Sequence, residues 1–240
     1  MMQRPRNIAH RGARLLAVEN TIEAIRIAFD QGAEGVEFDV QVTLDGEPVL
    51  FHDDALKTFT GVQGTVQQWS WSELRRLPLH DAHGHRGRIA HLAEVLEELS
   101  PLHGLFNLEL KVVNGSSQAL VKAVSRYLHQ IDPSNWLISS FCHRALQTAT
   151  DQLDSFAQAA LIDNDVDCDY WHLIESTEAR QRYSAVHPHG ALLPRLAGSE
   201  VAINVWTLNE PEHWQIACNL EVAGIITDDP ASLAGFLSTA

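Results

Sequence analysis

A chain of 240 residues, 45% of them hydrophobic and with charges of both signs, can bury a substantial core, which excludes disordered and fibrous classes. Its formal net charge of -14 excludes a basic nucleic-acid surface and adsorption to anionic lipid by charge alone. Cys142, Cys168 and Cys218 are odd in number and widely spaced, so they read as buried thiols in a reducing compartment, not as a disulfide framework or a zinc site.

Met1 to Asn7 shows no charged-then-apolar leader, and no apolar run is long enough to span a bilayer, so a cytoplasmic address is the default expectation. Short β-like runs then alternate with longer helical patterns. The first run is Asn7–Ala9, after which Asn20 and Glu23 form a capping-box pattern opening a helix that closes near Gly32. Gly35–Thr43 follows and returns through Pro48–His52 after the turn pair Asp45-Gly46, a strong hairpin signal. Residues 54–88, rich in Gly, His and Gln, are the least regular and read as an insertion over one rim; within them Ser70 and Glu73 repeat the capping pattern. Later runs are Leu105–Leu110, Trp136–Phe141, Ala157–Ile162, Tyr183–Val186, Val201–Thr207 and Gly224–Thr227. Pro211 opens a helix after Asn209, with an apolar stripe through Trp214, Ile216, Ala217 and Leu220.

Counting the hairpin return with its parent strand gives eight β units, which suits an α/β chain folded as a single (β/α)8 TIM barrel over residues 1–240. A doubly wound sheet would place a Gly-rich phosphate turn after its first strand, and His10-Arg11-Gly12-Ala13 lacks that pattern.

Strand periodicity carries the chemistry. From Val36 to Val42 every even-numbered residue is apolar and every odd one polar, so Glu37 and Asp39 share a face. Asn107-Leu108-Glu109-Leu110-Lys111 repeats the alternation. Periodicity alone leaves open a one-sided antiparallel sheet whose polar face meets water. The Trp136–Ser140 and Val201–Trp206 runs, apolar on nearly both faces, point instead to buried parallel strands. In a barrel the polar face is the lumen, where crowded carboxylates need a cation. Three oxygen donors without cysteine suit a hard divalent ion, Mg²⁺ or Ca²⁺. His10 lies just past the first strand and His52 ends the Val49-Leu50-Phe51 run, so both fit the C-terminal rim as general acid and base. Arg11 and Lys111 can neutralise a phosphate, although each alone also fits an ordinary surface position. His80, His83, His85 and His91 cluster in or beside the insertion without a ligand frame and receive no role.

The segments His10-Arg11-Gly12, Glu19-Asn20-Thr21, Gly35–Asp39, Thr43-Leu44-Asp45-Gly46 and His52-Asp53 resemble the glycerophosphodiester phosphodiesterase family, in order and spacing. So do Asn107–Lys111, Ser140-Phe141, Val205–Asn209 and Gly224–Asp228. The resemblance implies a TIM barrel with a small insertion after the second strand. It implies Glu37, Asp39 and Glu109 as metal ligands, His10 and His52 as the acid–base pair, and Arg11 and Lys111 as phosphate contacts. It places Glu19 on the same rim, touching the metal or orienting Arg11, and makes Phe141 and Trp206 walls of the glycerol or alcohol pocket. Val18 stands where the family usually has proline, and the stretch between His187-Pro188 and Val201 is short, which touches rim details and no catalytic position. The expected activity is metal-dependent hydrolysis of a small-molecule glycerophosphodiester to sn-glycerol 3-phosphate and an alcohol. A lysophospholipase D-like action on a longer lipid would need an apolar approach beside the rim. A catalytically silent binding barrel would be marked by loss of a ligand or histidine.

Overall fold

The computed structural model describes residues 4–163, 182–195 and 201–239. Its strands are β1 (Arg6–His10), β2 (Gly35–Val42), β3 (Pro48–Leu50), β4 (Pro78–His80), β5 (Arg86–Arg88), β6 (Leu105–Leu110), β7 (Trp136–Ser140), β8 (Ala157–Ile162), β9 (Ala185–Pro188), β10 (Ala202–Val205) and β11 (Gly224–Thr227). β1, β2 and β6 to β11 pair in parallel, and β1 bonds to both β2 and β11, so the sheet closes on itself. The eight expected β units correspond to these eight strands, with Tyr183–Val186 shifted to Ala185–Pro188 and Val201–Thr207 shortened to Ala202–Val205, and β3 pairs antiparallel to β2 outside the ring.

The two faces of each strand meet different surroundings. Val36, Phe38 and Val40 of β2 and Phe106, Leu108 and Leu110 of β6 join Ile25, Val95 and Val121 from the surrounding helices in one apolar cluster. Each large side chain fully buried there contributes roughly 1.5–3 kcal/mol relative to exposure. The alternate residues, Glu37 and Asp39 on β2 with Asn107 and Glu109 on β6, therefore face the lumen and are all buried. The water-facing antiparallel sheet is excluded.

The first helix, α1 (Ile22–Asp30), is capped one residue later than the sequence suggests. Thr21 accepts from the Ala24 N–H, whereas Asn20 takes a left-handed φ of 57° and sends its amide elsewhere. Asparagine tolerates that conformation because its short polar side chain can bond locally. The Ser70–Glu73 capping box forms as expected at the start of α3 (Trp71–Leu74), which follows the short helix α2 (Lys57–Thr60). On the Pro211–Asn219 helix Trp214 and Ala217 are buried, but Ile216 is 42% exposed, so the apolar stripe is narrower than expected.

The irregular reading of residues 54–88 understates their order. They hold α2, α3, a short 3₁₀ turn and the β4–β5 hairpin. Leu56, Val66, Leu74 and Leu79 pack with Ile89, Val18, Val49 and Phe51 into a second apolar cluster separate from the barrel's own. The segment follows β3 and so hangs from the C-terminal end of the second barrel strand. Among the described residues no helix is long and apolar enough to cross a membrane. Cys142 and Cys218 are free thiols; Cys168 lies outside the described residues.

Candidate active site

At the C-terminal end of β1 the chain turns sharply. Arg11 takes φ 57° and Gly12 φ 83°, and a Cβ on Gly12 would come within 2.6 Å of the Ala24 carbonyl carbon. Only glycine fits that approach. The turn aims the Arg11 N–H at both the backbone oxygen (2.9 Å) and Oε2 (3.2 Å) of Glu37. Asn20 then clasps Asp39: its amide donates to Oδ2 at 2.9 Å, and its oxygen accepts the Asp39 N–H at 3.0 Å.

Glu37, Asp39 and Glu109 each place one carboxylate oxygen within 4.8 Å of the others, all buried. Such a cluster is electrostatically costly. Burial, then the charges of Asp39 and Glu109, push the Glu37 carboxyl well above its ordinary range. Burial and Asp39 push Glu109 up to about 8 against the pull of Lys111 and Arg11. Asp39 behaves oppositely. Burial alone would raise it, but Arg11 (Nε 3.3 Å from Oδ2), His52, Lys111 and Asn20 hold it at about 2. The Oδ1 of Asp39 is nonetheless buried without a hydrogen-bond partner. A buried carboxylate oxygen with no hydrogen bond, set between two carboxyls that burial would keep protonated, suits a divalent cation, so these residues fit a metal.

A cleft of about 320 Å³ opens above the cluster. His10, Arg11, Glu37, His52, Glu109, Lys111, Phe141 and Trp206 line it, eight of the ten residues singled out in the sequence, together with Leu161, Asp163 and Ile226. The other two adjoin it: Asp39 clusters with Glu37 and Glu109, and Glu19 lies against Arg11 Nη1 at 2.8 Å. Glu19 accepts a hydrogen bond from Arg11 and also brings a carboxylate oxygen within 4.8 Å of ligand atoms of His52 and Asp53. Lys111 Nζ lies 3.5 Å from Glu109 and 5.8 Å from the Phe141 ring centroid, and Phe141 meets Trp206 edge-to-face at 5.5 Å. Trp206 donates its indole N–H to the His187 carbonyl, which fixes the ring as a wall.

Each histidine is held at Nδ1. His52 meets Asp53 at 2.9 Å, and Gln41, fully buried on β2, donates to the carbonyls of Phe51, His52 and Asp53. His10 meets Asp228 at 2.7 Å. Burial lowers the His10 pKa, partly offset by its bond to Asp228. Asp228 is held at about 2, because His10, Arg14 and Asn209 outweigh its burial.

Arg14, Asn20, Gln41, Asn209 and Asp228 carry no site role in the sequence reading, although Asn20, Asn209 and Asp228 fall in segments that resemble the family. Asp228 had a usable signal, a carboxylate directly after a barrel strand, where such folds keep their chemistry. Asn20 read as a helix cap, and Arg14 as one more loop arginine.

Residues 10–232 match the model of the glycerophosphoryl diester phosphodiesterase family. A glycerophosphodiester phosphodiesterase of Caldanaerobacter subterraneus subsp. tengcongensis is 32% identical over 243 residues, spanning 94% of this chain and 95% of its own. A phosphodiesterase of Oleispira antarctica, solved with the product sn-glycerol-3-phosphate, superposes with a TM-score of 0.85 at 26% identity over 98% of this chain and 97% of that one. The glycerophosphodiester phosphodiesterase of Thermotoga maritima gives 0.79 at 27% identity over 97% and 99%. With the fold, the cleft and a family match over nearly its whole length in agreement, this chain belongs to the glycerophosphoryl diester phosphodiesterase family.

Proposed function

We propose that this protein hydrolyses glycerophosphodiesters to sn-glycerol 3-phosphate and an alcohol at the cleft above Glu37, Asp39 and Glu109. The observation that carries the reading is the convergence on that cleft of three clustered carboxylates, two cations and two histidines each backed by a carboxylate. We read residues 1–240 as one catalytic unit, with residues 54–88 as a wall over its rim.

Arg11 and Lys111 would bind nonbridging phosphate oxygens, Arg11 through its donor fork and Lys111 as a point charge. A divalent cation on Glu37, Asp39 and Glu109, Mg²⁺ or Ca²⁺ by its all-oxygen donor set, would neutralise charge that builds on the phosphoryl oxygens. One histidine would take the proton of the nucleophile, either water or the glycerol 2-hydroxyl, as its oxygen bonds phosphorus. The other would protonate the alcohol oxygen as its bond to phosphorus breaks. The hydroxyl route gives a cyclic phosphate that water then opens. Phe141 and Trp206 would pack against the carbon face of the glycerol or alcohol arm.

Hydrolysis of glycerophosphocholine, followed with and without EDTA, tests the reading. The expected result is activity restored by Mg²⁺ or Ca²⁺ and a loss of about 10²–10⁴-fold in His10→Ala and His52→Ala. Undiminished activity of metal-stripped His52→Ala would refute it.

A further inference from the structure

Asp228 sits behind His10 in an unusually complete frame. A carboxylate can only accept, so the 2.7 Å contact puts the His10 proton on Nδ1 and leaves Nε2 as the ring's other reactive atom. Asp228 is itself clamped on three sides. Asn209 donates from Nδ2 to Oδ2 at 2.8 Å and accepts the Asp228 N–H at 2.9 Å. Thr227 donates its hydroxyl to the same Asn209 oxygen at 3.1 Å, which fixes which way that amide points. Arg14 reaches Oδ1 at 3.3 Å and anchors its other nitrogen on Glu19 at 2.6 Å, and Glu19 in turn holds Arg11. His52 has a looser arrangement, an adjacent-residue carboxylate with both side chains more than a quarter exposed.

We propose that Asp228, held by Asn209 and Arg14, is the positioning residue that keeps His10 in the Nδ1–H form, so that Nε2 exchanges the proton at the cleft. The proposal rests on His10 being one of the acid–base pair. Its sharpest consequence concerns Asp228→Asn. Asn209 Nδ2 at 2.8 Å and Arg14 at 3.3 Å then both seek the one remaining acceptor; the shorter contact, from an amide locked by Thr227, draws the new oxygen, while the long Arg14 side chain can swing away, which leaves the NH₂ toward His10. The ring then receives a donor at Nδ1, the proton moves to Nε2, and the atom facing the cleft is blocked for a base. Asp228→Ala imposes no such tautomer, and Asp228→Glu keeps an acceptor.

The test combines kinetics with long-range ¹H–¹⁵N spectra of the imidazole rings, the His10 signals being assigned by their loss in His10→Gln. Expected are Nδ1–H at His10 in the wild type and Nε2–H in Asp228→Asn. The Asp228→Asn kcat should fall about 10²–10⁴-fold with KM within about threefold. Asp228→Ala should fall less, Asp228→Glu should recover part of the rate, and Arg14→Gln should lower kcat about tenfold or less. An Nε2–H His10 in the wild type, or Asp228→Asn within threefold of wild-type kcat, overturns the proposal. Equal losses in all three Asp228 variants with reduced thermal stability also overturn it, because they assign Asp228 a purely structural part. If His10→Ala and His52→Ala lose activity while Asp228→Asn does not, this inference alone fails. If His10→Ala keeps its activity, the proposed function fails with it.

Discussion

Two sides of the barrel lumen are built from opposite materials. β1, β2 and β6 line it with His10, Glu37, Asp39, Asn107 and Glu109, all buried and polar or charged. β7, β8 and β9 contribute Leu137, Ala159 and Ala185, a small apolar cluster. Both sides rest on the same strand-and-helix frame, so the difference is one of use. The charged side is arranged against the folded state's own stability, which the neutral side and the outer apolar layer must offset. Substitutions on the two sides should therefore fail in different currencies, activity on one and stability on the other.

The largest effect belongs to the charged side. Glu109→Gln should lower kcat/KM on the order of 10³-fold, since in the proposed mechanism it removes one of three ligands to the cation and forfeits several kcal/mol of charge stabilisation. The same change should make the EDTA-treated protein more stable by about 1–3 kcal/mol in urea at pH 7, because the wild-type carboxyl, pushed up to about 8, must take up a proton on folding and glutamine need not. A chelated variant less stable than the chelated wild type would erase the contrast. On the neutral side Ala159→Leu must force a branched side chain between Leu137 and Ala185, costing about 1–3 kcal/mol. Its kcat/KM per folded molecule should stay within about threefold, read by active-site titration beside the melting curve.

His187 sharpens the comparison because it is an ionisable group on the neutral side. It is fully buried, and burial lowers its pKa to about 3. Below the ordinary histidine pKa of about 6.5 the unfolded chain binds a proton that the native chain refuses. Its contribution to stability is thus complete above about pH 6.5 and shrinks as pH falls toward 3. Between pH 7.5 and 5 the wild type should lose about 2 kcal/mol more than His187→Gln, measured by urea unfolding at both pH values. An identical pH dependence in both proteins would show that His187 titrates normally. The smallest effect is expected outside the barrel altogether: Ile216→Gln, at a 42% exposed site, should shift the midpoint by no more than about 0.5 kcal/mol.

The charged side was the legible one. Period-two alternation is a local signal, and it put Glu37 with Asp39 and Glu109 with Lys111 on common faces before any strand was paired. The structure keeps both pairs, with Lys111 in the cleft beside Glu109. Alternation could not say what the faces looked at; closure of β1 onto β11 decided that. It also could not find Asp228, whose partner His10 is 218 positions away and adjacent only because the first and last strands pair. Asn20 misled for a different reason. The same side chain that caps helices can reach a separate strand, here Asp39 beyond α1, and local sequence does not distinguish the two uses. In residues 54–88 the apolar residues are spread over very short elements, so no period develops, although they bury as thoroughly as any helix face.

The Asn20 clasp on Asp39 also bears on how the protein ages. Loss of ammonia from that amide would replace a donor with a fourth negative charge 2.9 Å from Asp39, at the moment the second bond to its backbone N–H stays in place. A preparation so altered would have almost the same mass but a less stable fold, since one more buried charge joins the cluster. It would still carry every side chain of the proposed mechanism, with an added negative charge beside the carboxylates proposed to hold the cation. Storage history thus belongs among the variables of any metal titration on this barrel.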